Sequence, residues 1–82
     1  MNLRDDLLQL LNDEISLDPG QHIGSDTDLL LTGLVDSLGV IDVVAWLEER
    51  LGIDIDPVDI VLENFQNVDL MLGFVERLSQ AS

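Results

Sequence analysis

Ser37-Leu38-Gly39-Val40-Ile41-Asp42-Val43-Val44-Ala45-Trp46-Leu47-Glu48-Glu49-Arg50-Leu51, with Asp36 before it and Gly52 after it, decides how this chain folds. Val40, Val43, Val44, Leu47 and Leu51 recur at intervals of three and four, which gathers them on one stripe of an α-helix. β-Branched residues are frequent here, yet they do not alternate as a half-buried strand requires. Asp36 is a good N-cap and Gly52 a good helix terminator. The stretch predicts a helix from Ser37 to about Leu51.

Working back toward the N-terminus, Ser16 to Val35 reads as a long loop holding Pro19, Gly20, Gly24, Gly33 and the polar run Ser25-Asp26-Thr27-Asp28. A connection of this length in so small a domain signals function more often than slack. Leu29, Leu30 and Leu31 are expected to pin it to the core. Before the loop, Leu3, Leu7, Leu8, Leu11 and Ile15 recur at helical spacing. Asn2 is suited to cap that helix, Asp5 and Asp6 fall in its first turn, and Asp18-Pro19-Gly20 closes it. On the far side, Asp54 to Asn67 holds a turn at Asp56-Pro57 and one short helix. A last helix follows Asn67, with Val68, Met71, Phe74, Val75 and Leu78 on its apolar face. The expected fold is all-α, a small four-helix bundle of three longer helices and one short one, with a long loop between the first and second helices. No repeat or linker divides the chain, so residues 1–82 are read as one domain.

Composition narrows what this domain can do. At 82 residues it buries only about 60% of its unfolded surface. Hydrophobic residues nevertheless make up 46%, and mean hydropathy is +0.27. Aromatics are confined to Trp46, Phe65 and Phe74, so Leu, Ile and Val must build the core. Absence of cysteine excludes a disulfide framework and a thiolate metal site. Seventeen acids against three arginines give a net charge of −14. Such a surface repels phosphate backbones and anionic lipid, which argues against nucleic acid and membrane as partners and for basic protein surfaces. The N-terminus turns acidic at once, and no apolar run approaches the ~20 residues that cross a bilayer. A cytoplasmic monomer is expected.

Chemistry concentrates in Gly33-Leu34-Val35-Asp36-Ser37-Leu38. With Asp36 as the cap, the Ser37 hydroxyl stands exposed at a helix N-terminus, where unpaired N–H groups and a partial positive charge tolerate an attached phosphate. Taken alone, these residues favour an ordinary capping serine over a modified one. A nucleophilic serine would need a base, an oxyanion hole and a dry cleft. The chain's one histidine, His22, lies on the loop and reads as solvent-facing. Asp54-Ile55-Asp56 spaces its acids as a calcium loop does, but counting from Asp54 puts Asp59 where glycine is needed and Phe65 where glutamate is needed. An acidic helical interaction module without a prosthetic group accounts for the charge and the bundle. It leaves unexplained an exposed serine that opens a helix after a long loop.

Asp36-Ser37-Leu38, followed by a helix closing on Leu47-Glu48-Glu49-Arg50-Leu51-Gly52-Ile53, resembles the acyl carrier protein and peptidyl carrier protein family. The resemblance spans nearly the whole chain: acidic first helix, long loop ending at the motif, second helix, two further helical pieces. It implies a stand-alone, non-catalytic carrier whose Ser37, beside the Asp36 cap, bears 4′-phosphopantetheine derived from coenzyme A. An acyl or aminoacyl group would ride on that arm as a thioester. Implied partners are a phosphopantetheinyl transferase, an adenylating acyl or aminoacyl ligase, and downstream synthase or transferase enzymes. By the same resemblance the second helix docks partners, with Asp42, Glu48 and Glu49 meeting basic residues and Leu38, Ile41 and Ala45 making apolar contacts. Periodicity alone leaves Ile41 equally suited to burial. Where fatty-acid carriers commonly have an acid after Asp-Ser-Leu, this chain has Gly39. Gly33-Leu34-Val35-Asp36-Ser37-Leu38-Gly39 looks more like discrete carriers served by a separate adenylating ligase, such as D-alanyl carriers. Trp46 stands where such carriers usually have a smaller residue, and it reads either as a bundle anchor or as part of the surface that tells partners apart.

Overall fold

The computed structural model describes residues 2–18 and 20–80; Pro19, expected to help close the first helix, lies outside them. Asn2 caps α1 (Leu3–Leu10) by accepting the Asp5 N–H at 3.2 Å, with Asp5 and Asp6 in the first turn. The helix was expected to run on unchanged through Ile15. Instead its last stretch, Leu11–Ile15, widens into a π turn, and Ser16 N–H reaches back five residues to the Leu11 carbonyl at 2.8 Å. Asn12 in this turn clasps the loop from both sides. Its Oδ1 accepts the Ile23 N–H at 2.8 Å, and its Nδ2 donates to the Ile23 carbonyl at 3.1 Å and to the Leu8 carbonyl at 2.9 Å.

The loop that follows is laid down as a series of turns, pinned to itself and to the C-terminal part of the chain. Leu17 N–H bonds the Leu34 carbonyl, Asp69 N–H bonds Ser25, and Leu29 N–H bonds Gln66. Ile23, Leu29, Leu34 and Val35 are buried, so the loop supplies a quarter of the core rather than skirting it. The three consecutive leucines do not act together. Leu29 is fully buried and Leu30 half-buried, but Leu31 is 72% exposed. Asp28 explains the split: its Oδ1 accepts the Leu31 N–H at 2.8 Å, forming a local turn that carries Leu31 outward. Gly33 then takes φ +76°, a conformation side chains rarely adopt, and the chain doubles back so that Val35 N–H reaches the Leu29 carbonyl at 3.0 Å.

α2 (Ser37–Leu51) begins and ends as the sequence requires. Gly52 closes it in the left-handed conformation at φ +65°, donating its N–H to the Glu48 carbonyl. Val40, Val43, Val44 and Leu47 are buried, whereas Leu51 at the end of the helix is only half-buried. A 3₁₀ turn over Pro57–Asp59, capped by Asp56 through the Val58 N–H, leads into α3 (Leu62–Phe65). Four residues cannot hold a helix on their own. Phe65 is 1% exposed and meets the Phe74 ring of α4 (Val68–Gln80) edge-on at 5.7 Å, which anchors the segment. Asn67 accepts the Leu70 N–H at 2.8 Å at the start of α4. Val68, Met71, Phe74 and Val75 form its buried face, with Leu78 half-buried behind them.

Two arginines bind the helices together across their surfaces. Arg4 joins Asp69, linking α1 to α4, and Arg50 joins Asp6 at 2.5 Å, linking α2 to α1. The Arg50 guanidinium also lies 5.5 Å from the centre of the Trp46 ring. Trp46 is half-buried against the core beneath it, a partial anchor with one face toward solvent.

Candidate functional site

The start of α2 is built by one carboxylate and one missing side chain. Asp36, with extended backbone, accepts the Gly39 N–H on Oδ1 at 2.9 Å and the Val40 N–H on its carbonyl at 3.0 Å. The cap therefore does not use Ser37. Ser37 is exposed at the first helical position, and its hydroxyl has no hydrogen-bond partner among the described residues. No acid lies in the first turn of α2. In a chain of net charge −14 this is one of the few places where a phosphate meets N–H dipoles without a further carboxylate inside the turn.

Gly39 completes the turn from below. It is buried, and a Cβ there would stand 2.7 Å from Val35 Cγ1 and 3.0 Å from Ile15 Cγ2. In the sequence Gly39 stands out only as a departure from a motif. A signal was present: a glycine inside a helix costs about 1 kcal/mol relative to alanine and calls for a packing reason.

Beside Ser37 opens an apolar cleft of about 290 Å³. Ser37, Val40 and Ile41 form one wall, Leu30 of the loop another, and Ile60, Val61, Leu62 and Phe65 the third. The serine hydroxyl is the polar side-chain group in this lining. Leu30 and residues 60–62 were not singled out from the sequence, because no periodicity places a loop residue and a four-residue helix against α2.

On the outward face of α2, Leu38, Ile41, Asp42, Ala45 and Glu49 form an exposed stripe starting at Ser37. Leu38 is 71% and Ile41 57% exposed, so neither belongs to the buried face of the helix. Glu48 departs from this company. It is half-buried, and its Oε2 accepts the Ile55 N–H at 2.8 Å, holding the chain that leaves α2. Asp42 and Glu49 keep their carboxylates in solvent, and His22 is exposed on the loop.

The chain matches the family model described as phosphopantetheine attachment site over residues 5–75, from α1 to within α4. It belongs to the phosphopantetheine-binding carrier family. No curated protein sequence gives a significant match to it. Members of this family carry covalently attached 4′-phosphopantetheine and act as carriers rather than catalysts. The residues at the head of α2 suit that group. They offer an exposed hydroxyl, a helix N-terminus for the phosphodiester, and an apolar cleft within reach of the arm. None of the described helices of this carrier is long and apolar enough to cross a membrane.

Proposed function

We propose that this carrier bears its 4′-phosphopantetheine on Ser37 Oγ and holds an acyl or aminoacyl group as a thioester on the arm. The supporting observation is the division of labour between Asp36 and Ser37: the aspartate caps the helix, and the serine hydroxyl stands exposed at its first position, unengaged by any described residue. Loading transfers the phosphopantetheine of coenzyme A to Ser37 Oγ. The pyrophosphate bond breaks, the phosphodiester forms, the serine proton passes to a base of the transferase, and adenosine bisphosphate leaves.

Partners dock along α2 in this reading. Leu38, Ile41 and Ala45 offer apolar contact beside the attachment point, and Asp42 and Glu49 steer a basic surface toward them. Glu48 contributes its charge to the field while its side chain serves the fold. The Gly39-containing motif favours a separate adenylating ligase as the enzyme that charges the arm.

The test treats wild type and Ser37→Ala with a phosphopantetheinyl transferase and coenzyme A and weighs both intact. One phosphopantetheine is expected on wild type and none on the variant. Label on the variant, or none on wild type, removes Ser37 from this role.

A further inference from the structure

We infer that Gly39 is a positioning residue for modification of Ser37. This rests on Ser37 being the attachment point. Gly39 is the third residue of α2 and is buried under its first turn. Two pieces of chain meet there from different directions. Val35 arrives from the end of the loop, held by its N–H to the Leu29 carbonyl, and Ile15 arrives from the end of the π turn. A Cβ on residue 39 would be 2.7 Å from Val35 Cγ1, closer than carbon atoms pack, and 3.0 Å from Ile15 Cγ2, a tight contact. It would also stand 3.6 Å from Asp36 Oδ1, the oxygen that receives the Gly39 N–H.

The first turn of α2 can therefore sit at its observed height over the loop only because residue 39 has no side chain. Neither neighbour yields freely. Val35 is 2% exposed and lies two residues before Ser37, so moving it moves the backbone that feeds the serine. Ile15 is the last residue of a turn whose geometry Asn12 fixes on Ile23. Added bulk lifts the turn instead, and Ser37 Oγ moves with it relative to the docking stripe of Leu38, Ile41 and Asp42. A transferase that docks on that stripe then meets the hydroxyl out of line.

The experiment measures transferase kinetics on wild type, Val35→Ala, Gly39→Ala and Val35→Ala/Gly39→Ala, with folding of each checked by circular dichroism. Displacement by ~1 Å can cost a reaction ~100-fold, so a few tenths of an ångström should lower kcat/KM of folded Gly39→Ala about tenfold, mainly in kcat. Val35→Ala alone, which keeps glycine at 39, is the parent against which the double variant is read. The double variant, relieved at Val35 but still pressed by Ile15, should fall between that parent and Gly39→Ala. If Gly39→Ala does not fold, the double variant against Val35→Ala decides the matter in the same way. Folded variants that label at the rate of their glycine parents would overturn the inference, as would failure of both to fold, since Gly39 would then be structural only. Unlabelled wild type would remove the attachment site itself, a different result from labelled wild type with indifferent variants.

Discussion

Asp36 Oδ1 lies 2.9 Å from the Gly39 nitrogen, and this bond separates the capping role from the residue that follows it. Replacing Asp36 by alanine should cost about 1 kcal/mol, the usual loss when a helix N-cap is removed. Ser37→Ala should stay within about 0.5 kcal/mol of wild type, as an exposed position without a partner does. Urea unfolding of the two variants measures both. A larger loss for Ser37→Ala than for Asp36→Ala would reverse the assignment of the cap.

The acids of α2 divide by what their side chains touch. Glu48→Ala should lower stability by about 1–2 kcal/mol, because the half-buried Ile55 N–H loses a charged acceptor. Asp42→Lys/Glu49→Lys should leave the melting temperature nearly unchanged and slow charging by a partner ligase. That slowing should match the loss wild type shows as salt screens the encounter. Charging rates indifferent to both the double variant and salt would reduce these acids to a solvated face.

Acid should act on Asp28 in a defined direction. The Gln66 side-chain amide and then the Leu31 N–H hold its carboxyl below the ordinary value of 3.8. A carboxyl depressed by folding adds stability above its unfolded value and loses that contribution as pH falls through the folded one. Wild type should therefore exceed Asp28→Asn in stability at neutral pH by a margin that shrinks below about pH 3.8. Urea midpoints of both proteins across pH 7 to 3 test this, and a margin constant with pH would refute it.

Self-repulsion should be visible in the whole domain. A net charge of −14 on a small body weakens the compact state, so magnesium at millimolar concentration should raise the melting temperature. Sodium chloride should do the same at higher concentration by screening. Mild acidification toward the isoelectric point near 4.1 should first stabilise, before losses such as that at Asp28 take over. A melting temperature unmoved by magnesium, salt and pH would mean that the fold already offsets its charge.

The sequence alone determined the elements whose signals are local. Helical spacing from Val40 to Leu47, Asp36 before it and Gly52 after it set α2 to the residue, because caps and periodicity act within a turn or two of chain. Asn2 and Asn67 marked the starts of α1 and α4 for the same reason, and the exposed serine at the head of α2 followed from its cap. What lay beyond reach depended on residues distant in sequence. The π turn at Leu11–Ile15 meets Ile23 through Asn12, and Leu31 turns outward because Asp28 reaches its N–H. Glu48 turns its carboxylate to the Ile55 N–H, seven residues on. The cleft at Ser37 exists only where Leu30 and residues 60–62 converge on α2, and Gly39 gains its meaning only when Val35 and Ile15 close beneath it. Tertiary structure decided these because packing and hydrogen bonding between segments leave no periodic trace in either segment alone.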